Sequence, residues 1–146
     1  MSAKPVTPRF AAVIFADDIV KLATFYSSVA GLTETDAGKG HVVVAGNGFE
    51  LTLHAMPRGV PASGPPYPAR EETCLKLCLP VKDLAASRKA ASAHGGSLRP
   101  KTAEWEARGF RACDGIDPEG NVFQLRVPAS VKPAKAAPAA TKKLKR

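Results

Sequence analysis

Cysteine is scarce and unpaired in this sequence: Cys74, Cys78 and Cys113 show no CxxC spacing and no histidine pattern beside them. An odd, scattered set argues against a disulfide framework and a zinc knuckle, and predicts buried, reduced thiols in a cytoplasmic protein. Long apolar runs are missing as well. No stretch approaches the roughly twenty apolar residues needed to cross a bilayer, and the opening MSAKPVTPRF has no apolar leader segment. The one Gly-rich stretch that suggests a phosphate loop, AGNGF, leads into a strand-like run rather than a helix, so it reads as a hairpin turn. No Ser or Cys occupies a recognisable nucleophile elbow.

What is present begins with charge. The formal net charge is +8, from 21 Lys and Arg against 13 Asp and Glu. Six of those cations fall between Lys132 and Arg146, in KPAKAAPAATKKLKR, which holds no acid. The other 15 face all 13 acids, so the remainder of the chain is close to neutral at +2. The basicity belongs to residues 129–146, whose Ala/Pro/Lys composition predicts a disordered tail. Such a tail can touch nucleic acid weakly through counterion release; a purely solubilising tail is the alternative. With 146 residues, 45% of them hydrophobic, the chain is long enough for one domain with a true core.

Between an N-terminal extension (1–8) and the tail, two halves follow one pattern. RFAAVIFA, residues 9–16, is an apolar strand. DDIVKLATFYSSVAGL repeats Ile19, Leu22, Ala23, Tyr26 and Val29 at helical spacing, with Asp18 to cap the helix and Gly31 to end it. HVVVAGNGFELTLHAMP gives two strands about an Ala-Gly-Asn-Gly turn. The Pro- and Gly-rich segment 58–72 is a linker. The order then recurs: TCLKLCLPV as a strand, DLAASRKAASAHGG as a helix capped by Asp83, then GFRACDGI and NVFQLRV as strands about the DPEG turn. The modules span about 9–57 and 73–128, each reading as strand, helix, then two or three strands. A single sheet with one helix leaves a face bare, so the two halves are expected to pair around a concave surface suited to a ligand.

Taken together, ADDIVKLATFYSSVAGL, GFELTLHAMP, VKDLAASRKAASAHGG and DPEGNVFQL resemble the vicinal oxygen chelate superfamily. That superfamily includes glyoxalase I, bleomycin-resistance proteins, fosfomycin-resistance enzymes and extradiol dioxygenases. The resemblance implies an α+β fold of two paired βαβββ modules over residues 9–128. They form a cup-shaped mixed sheet with helices outside, commonly in a homodimer. Metal-dependent members carry ligands on the first and last strand of each module. Counting back from the helix caps at Asp18 and Asp83 places Ala11 and Lys76 at two of these positions; Glu50 and Gln124 fall at the others. A methyl group, an ammonium and a neutral amide make a poor donor set for a divalent ion. No metal cofactor is therefore expected, and Lys76 and Glu50 are expected to pair across the cup. If a divalent metal ion does bind, Glu50 and Gln124 are its ligands. The implied function is binding or sequestering a small molecule in the cup. The alternative is a metal-dependent lyase, isomerase or dioxygenase built on Glu50, His54 and residues that linear sequence does not place.

Side-chain parity supplies further candidates for ligand contact. His54 shares a strand face with Glu50 and Thr52. Lys76 alternates with Leu75 and Leu77, and suits an anionic ligand if it lines the cup. Trp105, in a loop, can wall a ligand, and Arg111 can clamp a carboxylate or phosphate. Glu50 and Gln124 read equally as the solvated side of amphipathic strands, and Arg111 as a surface cation. His41, His94, Phe25 and Tyr26 read as structural.

Overall fold

The computed structural model describes residues 3–130, so expectations for the tail beyond 130 lie outside it. Asp18 divides the first strand from the first helix. β1 (Phe10–Ala16) ends two residues before it, and the Asp18 carboxylate accepts the Lys21 N–H at 2.9 Å to start α1 (Ile19–Ala30). Gly31, at φ 65°, ends α1 in the left-handed conformation that suits glycine. Asn47 and Gly48, at φ 52° and 74°, make the two-residue turn between β3 (His41–Gly46) and β4 (Phe49–Ala55). β1 runs parallel to β4, giving a four-stranded sheet in the order β1-β4-β3-β2, with β2 at Thr33–Gly38.

The sequence pattern assigned no range to β2 (Thr33–Gly38), because TETDAG has no apolar alternation and all six residues are exposed. Pairing with β3 through a bulge at Thr35 makes it a strand. In the second module β5 is shorter than TCLKLCLPV suggests. Only Leu77–Pro80 joins the ladder with β9 (Val122–Pro128), while residues 73–76 stand outside it. Helix α2 (Leu84–Ala93) begins at Asp83, whose carboxylate accepts the Ala85 and Ala86 N–H groups. The counterpart of β2 is split into β6 (Ser97–Leu98) and β7 (Trp105–Ala107), both paired with β8 (Phe110–Ile116). Between them Pro100 leads into a turn of 3-10 helix, Lys101–Ala103. Trp105 is thus a strand residue rather than a loop residue. The thiols also differ from expectation: Cys113 alone is buried, Cys78 is half-buried, and Cys74 is exposed.

One core unites the modules. Phe25 and Tyr26 of α1 meet Phe123 of β9 edge-on, with centroids 5.6 and 5.9 Å apart. Ser87 of α2 donates to the Val29 carbonyl of α1 at 2.8 Å, which ties the helices together. The Glu119 carboxylate accepts both the Asp17 and Asp18 N–H groups, joining the second module's turn to the corner between β1 and α1. Among the described residues no helix is long and apolar enough to cross a membrane.

Gly96 sets the separation between α1 and the second sheet. A Cβ there would collide with the Phe25 ring and lie 2.5 Å from the Ile116 carbonyl oxygen. Gly96→Ala is expected to destabilise the protein by about 1–3 kcal/mol through overpacking, read as a lower urea midpoint at an unchanged m-value.

Candidate functional site

Alternation along the strands separates two faces. Val42, Val44, Leu51 and Leu53 pack under the helices. The intervening side chains of β1 and β4 face away from them, in register pairs Ala11 with Glu50, Val13 with Thr52 and Phe15 with His54. The Phe15 and His54 rings meet edge-on at 5.6 Å, and His54 Nδ1 lies 2.7 Å from the Ala55 carbonyl oxygen. His41, at the start of β3, bonds Asp36 at 2.9 Å, a structural contact.

β1 and β5 each end their sheet, so among the described residues each leaves one edge without a strand partner. Between β1 and the chain entering β5 lies a cleft of about 460 Å³. Its walls are mostly apolar, with Val13, Phe15 and Leu75 at the surface and Tyr26 deeper. The Tyr26 hydroxyl donates to Asp117 Oδ2 at 2.8 Å. Burial, then the charge and hydrogen bond of Asp117, push its pKa well above the usual tyrosine value, so Tyr26 remains a neutral donor. The linker is fastened over one side of the cleft. Asp17 Oδ2 accepts the Gly64 N–H and the Tyr67 hydroxyl, and the Arg70 N–H donates to the Gly120 carbonyl. The hydrogen bond to Asp17, with lesser contributions from burial and nearby carboxylates, pushes the Tyr67 pKa up to about 12.

The corresponding face of the second sheet carries a chain of polar groups. Lys76 Nζ bonds Asp114 Oδ2 at 2.8 Å, and Gln124 Nε2 donates to Asp114 Oδ1 at 3.0 Å. Arg126 Nε donates to Gln124 Oε1 at 2.7 Å. The amide at 124 therefore stands between a carboxylate that needs a donor and a guanidinium that needs an acceptor. Neither an acid nor an amine serves both neighbours equally well. Gln124 is only 5% exposed, which removes the solvated-strand reading. Farther along, the Arg126 and Arg108 guanidiniums lie 4.4 and 5.0 Å from the Phe110 ring centre, and Trp105 meets that ring edge-on at 5.8 Å.

Three expectations need correction. Lys76 is paired with Asp114, not with Glu50. Register also sets Cys78, rather than Lys76, directly opposite Gln124, as Ala11 lies opposite Glu50. The strand-to-cap interval is two residues shorter in the second module, so equal counts from the two caps do not reach equivalent positions. Arg111 faces the helix side, 3.2 Å from Glu104 Oε2, and Glu104 also takes Arg88 at 2.7 Å. It is part of a structural ion cluster and is turned away from the cleft. The structure thus links Lys76 to Gln124 through Asp114 and sets Trp105 beside Phe110 on that same sheet. Glu50 and His54 share the first sheet's face. Among the described residues no hydrogen bond or ion pair joins those two to Lys76 or Gln124.

Sequence reasoning missed Asp114, Arg126, Cys78 and Arg70. Counting outward from the DPEG turn finds Asp114 opposite Gln124, and two-residue parity finds Arg126. Cys78 requires the β5 register, and Arg70 lies in a linker without periodicity.

Two βαβββ modules with helices on one side and a cleft at the seam define an α+β, glyoxalase-like fold. The family model described as "Glyoxalase-like domain" matches residues 11–126, so the chain belongs to that family, within the vicinal oxygen chelate superfamily. A search of curated proteins gives no match. Among solved structures, the chain is similar to a glyoxalase/bleomycin resistance protein from Albidiferax ferrireducens T118 (TM-score 0.63, 16% identity, covering 82% of this chain and 98% of that one). It is also similar to fosfomycin resistance protein FosX from Mesorhizobium loti (0.56, 11%, 87% and 95%). A third likeness is to TnmS3, an antibiotic binding protein from Streptomyces sp. CB03234 (0.56, 19%, 87% and 100%). At these identities the structures establish a shared fold.

The Lys76–Asp114 pair has a pH signature. Burial raises the Asp114 pKa, but hydrogen bonds from Lys76 and Gln124 and the charges of Lys76 and Arg99 outweigh it and hold the group below the usual carboxylate value. A lowered folded pKa gives stability that is present above the unfolded pKa and lost as pH falls through the folded one. In Lys76→Met the folded pKa rises, so acid unfolding, followed by circular dichroism, is expected to start at higher pH than in the parent protein.

Proposed function

We propose that this protein binds a small, largely apolar molecule in the cleft between its two sheets, without a metal ligand set of the family kind. The observation that carries the reading is the cleft itself: about 460 Å³, walled by Val13, Phe15, Leu75 and their neighbours, and large enough for a drug-sized ligand. Similarity to proteins named for antibiotic binding and fosfomycin resistance supports a binding role. Sequestration of a toxic compound is the form that role takes in our reading. A homodimer in the cytoplasm belongs to the same proposal, and the exposed Phe10 at the start of β1 and Val6 before it offer apolar surface for a second copy.

Donor chemistry supports the absence of a metal role. Ala11 offers nothing to a cation opposite Glu50. Opposite Cys78, the Gln124 amide already serves Asp114 and Arg126, and the Arg126 guanidinium lies 3.4 Å from Cys78 Sγ. Placing a divalent ion there would break these contacts and bring it against a positive charge. Among the described residues no group of three or more His, Cys, Asp or Glu is placed to hold a metal.

Titration with the neutral fluorophore N-phenyl-naphthylamine is expected to saturate at one site per chain. Val13→Asp should weaken it by about tenfold through charge placed in an apolar wall, with an unchanged circular dichroism spectrum. Stoichiometric Zn, Ni, Mn or Fe in protein purified without chelator would overturn the metal-free reading in favour of a metal-dependent enzyme.

A further inference from the structure

The charges around the cleft are unevenly committed. Among the described residues, Arg70 and Lys76 are the cations that line it, and no carboxylate does. Lys76 is already neutralised by Asp114 at 2.8 Å. Arg70 is exposed, and the ion pairs among the described residues give it no carboxylate. Its side chain is nevertheless positioned. Nη1 donates to Asn121 Oδ1, while Asn121 is itself held by Asp117 through its main-chain N–H at 3.0 Å and its Nδ2 at 2.9 Å. The main chain of Arg70 is pinned too, by the 2.9 Å bond from its N–H to Gly120. Asn121 occupies one donor of the guanidinium fork, and a carboxylate can accept a pair of those that remain.

We propose that Arg70 determines the specificity of the cleft, and that the ligand is a small carboxylic acid with an apolar body. The body lies against Val13, Phe15 and Leu75 while its carboxylate meets the Arg70 fork at the rim. This rests on the binding role proposed above and adds the ligand's charge. A neutral molecule gains the apolar contacts alone. A cationic one meets the Arg70 guanidinium and, among the described residues, no acid lining the cleft. Anchoring through Asn121 lowers the ordering cost of the Arg70 side chain on binding.

Isothermal titration calorimetry with naphthalene carboxylate and its neutral carboxamide, two probes of nearly the same shape, tests this. The carboxylate is expected to bind the parent protein about tenfold more tightly than the amide, with the gap shrinking as salt is raised. Arg70→Gln should erase the gap by weakening the carboxylate while leaving the amide unchanged, and Arg70→Lys should keep part of it. Equal affinities in the parent protein, or an undiminished preference in Arg70→Gln, overturn the assignment of Arg70 and leave the binding role standing. If neither probe binds, the binding role falls, and this inference with it.

Discussion

The Asp117 carboxylate is the joint on which the rest of the molecule depends. It is 2% exposed and accepts four hydrogen bonds: Glu119 N–H and Asn121 N–H at Oδ1, and the Tyr26 hydroxyl and Asn121 amide at Oδ2. A buried carboxylate is tolerated only when such donors replace its water. Three of the donors come from its own turn and fix the turn's shape. The fourth comes from α1 of the other module, so the hydrogen bonding of this carboxylate is completed when the modules dock. Gly120, at φ 83°, supplies a backbone state that a side chain disfavours, and a Cβ there would strike the Pro68 carbonyl of the linker. Turn, helix and linker are thereby constrained by the same few atoms.

The docking that Asp117 anchors also makes the site. Once α1 is held against β9, the unpaired edges of β1 and β5 face a common cleft, and the linker fastened at Asp17 and Gly120 closes one side of it. Apolar groups and the Arg70 guanidinium then converge there from segments far apart in sequence. On the second sheet, alternating donors and acceptors run from Lys76 through Asp114 and Gln124 to Arg126, each hydrogen-bonded to its neighbour. Gln124 falls where the resemblance to metal-dependent members of the superfamily implies a metal ligand. The same scaffold supports both arrangements because the strands fix only where side chains point, while side-chain identity decides the chemistry.

Much of the architecture is written locally. Asp18 and Asp83 each combine a turn-forming acid with a following helical periodicity, and both cap the helices they announce. Asn47-Gly48 tolerates positive φ where the first hairpin turns, and DPEGN carries its own hydrogen-bonding side chains. These features act over a few residues, so a linear reading finds them. TETDAG carries no such signal; it is a strand because β3 offers it hydrogen bonds. TCLKLCLPV carries too much signal, since its first residues alternate like a strand but find no partner in the ladder.

For the site, the sequence by itself determined residue types and parities: an amide at 124, a lysine near the start of β5, and His54 on the same face as Glu50. Only tertiary structure decided that Lys76 meets Asp114 rather than Glu50, that Cys78 lies opposite Gln124, that Arg111 turns toward Glu104 beneath the helices, and that Arg70 reaches a cleft edge. The physical reason lies in the range of the forces involved. Capping, turn preference and alternation are properties of neighbouring residues, whereas register between strands and the docking of two modules emerge from contacts made all at once across the folded chain.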